Sequence, residues 1–120
     1  MIRQRGDLKR VKRVVVKIGT KCITDERSRL DEGKLKKFVE DISSIREGRN
    51  IAMVTSGAIG AGVGKMRLSR RPRSLPALQA AAAVGQGLLI QAYQKYFDEI
   101  KQPIAQLLLS AEDFVDEKRS

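Results

Sequence analysis

The chain has 120 residues, 42% of them hydrophobic, which is room for one domain and one core. Its net charge is +10, and with no His, no Trp and a single Cys it excludes His-based metal sites, Ser-His-Asp triads, disulfide frameworks and paired-cysteine metal motifs. Aromatics at 4% give no stacking platform for single-stranded nucleic acid, so any chemistry falls to Lys, Arg, carboxylates, hydroxyls and backbone amides.

Taken in chain order, residues 1–12 read as a basic, solvated tail. The charge is concentrated: residues 1–17 carry seven basic side chains against Asp7, and residues 65–73 carry five with no acid. Two short runs of this kind are a weak basis for nucleic-acid binding, and no nucleic-acid motif accompanies them. The start lacks the apolar run of a signal peptide, and no stretch approaches 18 uninterrupted apolar residues, so a cytoplasmic chain is expected.

Arg13-Val-Val-Val-Lys-Ile18 is a β-branched run closed by Gly19-Thr20, which predicts a buried strand followed by a turn. A polar loop follows, and Cys22 within it is expected as a buried or half-buried filler. From Asp31 to Glu47, Leu35, Phe38, Val39, Ile42 and Ile45 recur at spacings of three and four, the face of an amphipathic helix, with Gly48 placed to stop it. Asn50–Thr55 predicts a second buried strand that runs into Ser56-Gly57-Ala58. Strand, helix and strand make a βαβ unit with parallel strands.

Gly57, Gly60, Gly62 and Gly64 argue against a stable isolated helix and for close approach of backbone to another surface. Residues 67–75 read as an exposed arginine-rich loop. A long helix is predicted over residues 76–100, packed tightly between neighbours through its small residues 80–87. Residues 103–109 predict a third strand, and Ser110 with Asp113 a capping box opening a further helix that continues to residue 120.

Two strands that each end in a glycine turn are the informative arrangement. Ligands of open parallel sheets bind at the carboxyl ends of strands, where glycines expose amides and a helix start favours an anion. Lys17, the one charge inside an apolar run, adds a full positive charge there. The spacings match neither the Walker A nor the Rossmann fingerprint, so phosphate binding and ordinary tight turns both stay open at this point.

The blocks Val14-Val-Val-Lys-Ile-Gly-Thr20, Val54-Thr-Ser-Gly-Ala-Ile-Gly-Ala-Gly62, Gln79-Ala-Ala-Ala-Ala-Val-Gly-Gln86 and Gln106-Leu-Leu-Leu-Ser-Ala-Glu-Asp-Phe114 carry a resemblance. In that order they resemble the N-terminal part of the glutamate 5-kinases, of the amino acid kinase family. The resemblance implies an α/β fold, a three-layer α/β/α sandwich on a parallel sheet, with residues 13–120 forming only its N-terminal portion. It implies ATP-dependent phosphorylation of the side-chain carboxylate of L-glutamate to glutamyl 5-phosphate, the first step of proline biosynthesis, with Mg2+ carried on the nucleotide. Lys17 would be catalytic; Lys17, Gly19, Thr20 and Gly57 would meet ATP phosphates; Ser56, Gly57 and Ala58 would hold the amino acid. No protein-held metal site is implied, and the usual state is a homo-oligomer. The family's second half, with its lysine-orienting aspartate and nucleoside pocket, has no counterpart in these residues, so the chain is expected to be inactive alone. Lys21-Cys22 depart from the small or aliphatic residues usual after the phosphate loop. The kinase half of a bifunctional pyrroline-carboxylate synthase, and a non-catalytic amino-acid-binding module, are the alternatives.

Overall fold

The β-branched run forms the first strand, β1 (Arg13–Ile18). In the computed structural model, which describes residues 1–115, β1 pairs in parallel with β2 (Asn50–Thr55), in register from Arg13 opposite Asn50 to Ile18 opposite Thr55. The crossover is α1 (Glu32–Ile45), capped by Asp31, whose carboxylate accepts the Lys34 N–H at 3.1 Å. Its Leu35, Val39 and Ile42 are buried, each contributing about 1.5–3 kcal/mol by leaving water. The chain leaves this helix through Gly48, whose φ of 70° suits a residue without Cβ.

Two helices follow, α2 (Ala58–Lys65) and α3 (Leu75–Glu99). The glycine-rich segment is therefore helical after all, and the reason lies across the contact. A Cβ on Gly62 would stand 1.8 Å from the Ala81 carbonyl oxygen, and one on Gly85 would stand 1.6 Å from that of Ala58. The two backbones touch, which only glycine permits. On its other side α2 faces the loop before α1, where a Cβ on Gly64 would meet the Arg29 side chain at 3.1 Å. The small residues of α3 have one such neighbour rather than several: Ala81 and Gly85 are buried against α2, while Ala83, Val84 and Gly87 are exposed.

The core lies between the sheet and the two long helices. Ile18, Leu35, Val39, Ile42, Leu89, Tyr93 and Phe97 meet there, with Val16, Ile51 and Met53 packed against them. By length and composition α3 could also cross a membrane, but its Leu89, Tyr93, Tyr96 and Phe97 face belongs to this core.

Two further expectations need correction. The strands are buried on one face only: Val15 is 70% and Val54 53% exposed, because among the described residues no layer covers the side of the sheet opposite α1 and α3. The accessible surface, 9636 Å2, exceeds the about 6500 Å2 of a closed monomer of this mass. Residues 103–109 form no strand; among the described residues the sheet holds β1 and β2 alone, so their amides have no ladder to join, and Leu107, Leu108 and Leu109 stand exposed. The basic tail is solvated, its residues exposed apart from half-buried Asp7 and Val11. It makes a 3-10 turn at Arg5–Arg10, and Arg49 donates to the Val11 carbonyl at 3.0 Å and the Lys9 carbonyl at 3.4 Å.

The Ser110 capping box forms as expected: the Ser110 N–H meets the Asp113 carboxylate at 2.7 Å and a 3-10 turn spans Ala111–Phe114. The continuation of that helix over residues 116–120 lies outside the described residues.

Candidate functional site

Parallel pairing brings the two glycine turns side by side at the carboxyl edge of the sheet. The Ile18 carbonyl accepts both from the Ser56 N–H at 3.2 Å and from the Ser56 hydroxyl at 3.1 Å. One carbonyl thus clamps the second turn to the end of the first strand. The Thr20 and Ser56 hydroxyls lie 3.4 Å apart. Gly57 has φ 106° and ψ 0°, a conformation that L side chains resist, and it lies against Thr20, which a Cβ there would touch at 3.4 Å.

Gly57 is also the cap residue of α2, and no side chain caps that helix end. The first turn contains no acidic residue. Its amides and partial positive charge are therefore available to an anion. Beside it lies an open cleft of about 1100 Å3, lined by Thr20, Ser56, Gly57 and Ala58 together with the loop before α1 and the loop before α3.

Of the residues singled out from the sequence, Thr20, Ser56, Gly57 and Ala58 come together in this cleft. Lys17 and Gly19 are not among its lining. Lys17 is exposed, alternating with the inward Val16 and Ile18, so it shares the uncovered face of the sheet with Val15. Gly19 begins the 3-10 turn Thr20–Cys22, its carbonyl accepting the Cys22 N–H at 3.0 Å. Cys22 is exposed rather than buried, because that turn swings it away from the core.

The cleft adds residues that sequence reading passed over. Five basic side chains line it, Lys21, Arg27, Lys34, Arg70 and Arg71, against Asp25 and Glu26. Arg70 and Arg71 had a signal, the acid-free run at 65–73, but the run itself does not say which way it faces. Lys34 had none. Its ammonium donates to the Thr24 carbonyl at 2.8 Å, and the Thr24 hydroxyl donates to the Thr20 carbonyl at 2.9 Å, so α1 is tied to the turn after β1 through Thr24.

Asp25 buckles the same loop. The Arg29 N–H at 3.0 Å, and then that of Arg27 at 2.8 Å, hold its carboxyl below the ordinary carboxylate range. Beneath the edge, buried Tyr93 meets the Thr55 hydroxyl at 3.2 Å, and burial pushes its phenol above the usual value. Among the described residues no three His, Cys, Asp or Glu side chains gather as a metal centre would require.

The family model for the amino acid kinase family matches residues 12–120. The glutamate 5-kinase of Caldanaerobacter subterraneus subsp. tengcongensis is 49% identical over 108 residues, covering 89% of this chain and 29% of the relative. That of Clostridium tetani is 47% identical over 114 residues, 94% of this chain and 43% of the relative. That of Moorella thermoacetica is 42% identical over 113 residues, 93% and 30% respectively. The chain spans less than half the length of the curated relatives it matches.

Proposed function

The chain belongs to the amino acid kinase family, and from that premise we propose that it is the amino-acid and phosphate portion of an ATP-dependent kinase acting on the side-chain carboxylate of L-glutamate. The carrying observation is the convergence at one sheet edge: the Thr20 and Ser56 hydroxyls 3.4 Å apart, beside an uncapped helix start in a basic cleft. Bringing two anions together demands this equipment, because their repulsion must be offset before the reacting atoms can meet.

In this reading the Ser56 hydroxyl and the amides of Gly57 and Ala58 hold the amino acid. Thr20, Gly19 and the start of α2 receive phosphate oxygens. A carboxylate is already a nucleophile at neutral pH, so the phosphoryl transfer needs no general base and the absence of His is no handicap. The cleft's donor set suits a polyphosphate, whereas the described residues offer no carboxylate cluster, so Mg2+ is assigned to the nucleotide. When bound, the ion supplies charge neutralisation between phosphate oxygens. Lys17 stabilises the transferring phosphoryl group from the uncovered side of the sheet. That bare face, with Val15 and Val54 exposed, is where the third layer of an α/β/α sandwich would lie. Residues 13–120 would then be part of a larger kinase domain with 1–12 as a basic lead-in. The proposal also includes cytoplasmic location and homo-oligomerisation through the exposed small residues around Val84.

A chimaera tests this: residues 12–115 replace the matching segment of the Clostridium tetani relative. The expected result is L-glutamate-dependent ADP formation, reduced about tenfold or more by Ser56→Ala, as for loss of a hydrogen bond to a charged group. The 120-residue chain by itself should show no turnover. A folded chimaera that neither binds L-glutamate nor turns over would overturn the reading. The position of Lys17 outside the cleft lining favours a second reading, an amino-acid-binding module without catalysis. That reading gains if the chimaera binds L-glutamate but forms no ADP.

A further inference from the structure

We propose that Tyr93 is a positioning residue for the Ser56–Gly57 peptide, acting through Thr55; the proposal rests on the reading of that turn as the substrate turn. A count of protons fixes the direction of the hydrogen bonds. The Thr55 hydroxyl lies 3.3 Å from the Ser56 carbonyl oxygen, which can only accept, so Thr55 donates there. A hydroxyl has one proton, so in the 3.2 Å contact between Thr55 and Tyr93 it is Tyr93 that donates. A relay therefore runs from the Tyr93 phenol to Thr55 and on to the Ser56 carbonyl.

The far end of the relay matters because the peptide is planar and trans. The Ser56 C=O and the Gly57 N–H occupy opposite edges of one plane. Holding the carbonyl toward Thr55 directs the Gly57 N–H the other way, and Ser56 and Gly57 both line the cleft. The near end is rigid. Tyr93 is 2% exposed and packs against the rings of Phe38 and Phe97, each with centroids 6.5 Å away. The immobility of the core is thus passed to a turn that has no side-chain cap of its own. A ring serving only as filler would not need the hydroxyl, since burying one is unfavourable without a partner.

The test uses the 120-residue chain and amide hydrogen exchange followed by NMR. Tyr93→Phe and Thr55→Val should each speed exchange at residues 57–61 by about fivefold, the loss of one hydrogen bond, with the amides of α1 unchanged. Thr55→Ser, which keeps the hydroxyl, should restore the parent rate. The double variant should be no faster than either single one. Titration with L-glutamate should weaken by a similar factor in Tyr93→Phe and Thr55→Val only. Unchanged exchange at residues 57–61, an equal rise throughout α1, or Thr55→Ser behaving like Thr55→Val would overturn the proposal. If the parent chain shows the exchange pattern on substitution but binds no L-glutamate, the substrate reading falls and the positioning role stands. Should Tyr93→Phe fail to fold, the Thr55 pair decides alone, since valine keeps the branched shape that the strand requires.

Discussion

By composition, residues 57–64 and residues 103–109 ought to have each other's fate. The first segment holds four glycines: Gly57 caps the helix α2, and Gly60, Gly62 and Gly64 lie inside it, each worth about 1 kcal/mol against a helix. The second holds three consecutive leucines in an extended-looking run, and it is irregular and exposed. What separates them is a neighbour. α2 lies against α3 at a point where Gly85 and Ala81 let two backbones touch, so the glycines that weaken the helix alone are the condition for docking it. Among the described residues no strand lies beside 103–109, and a strand without a ladder leaves its amides to water. Partner surface outweighs local preference in both segments.

The sharpest way to break this comparison is Gly85→Ala. Its new Cβ would lie 1.6 Å from a backbone oxygen that cannot move without shifting α2. Destabilisation of about 3 kcal/mol or more is expected in urea unfolding, at the upper end of overpacking costs. An unchanged midpoint would mean that α2 is not docked through this contact. Next in size is the same substitution one half-turn on, with the opposite sign. Gly87 has nothing within 4 Å of its Cβ position, so Gly87→Ala should stabilise by roughly 0.5–1 kcal/mol through propensity alone. Two alanine substitutions on one helix would then carry opposite signs in the same assay. The smallest effect belongs to the second segment: Leu108, 78% exposed, should accept Gln with a change under about 0.5 kcal/mol. A loss above 1 kcal/mol would show that the leucines have a partner in solution.

Legibility followed the range of the forces involved. The sequence reading placed β1 and β2 to the residue, and α1 within two residues at each end, because β-branched runs and three-and-four spacing are local signals. It also gathered Thr20, Ser56, Gly57 and Ala58 at one edge, since a parallel βαβ unit leaves both strand ends on the same side. Arg70 and Arg71 were visible only as charge. Whether a charged loop faces a cleft depends on the docking of α3, which no residue within the loop reports. Cys22 was misplaced because a three-residue turn decided its exposure.

The charge on this protein illustrates the division. The sequence by itself determined that it is concentrated in two runs, that no His or cysteine pair can do the chemistry, and that two strands end in glycine turns. Those are properties of composition and of neighbours along the chain. Only the tertiary structure decided that five basic side chains ring the cleft while Lys17 stands on the open sheet face. It also decided that Gly62 and Gly85 are docking points and that Tyr93 reaches Thr55 beneath the site. Each of these is a contact between segments distant in sequence, and its geometry is set by packing that local residue preferences do not encode.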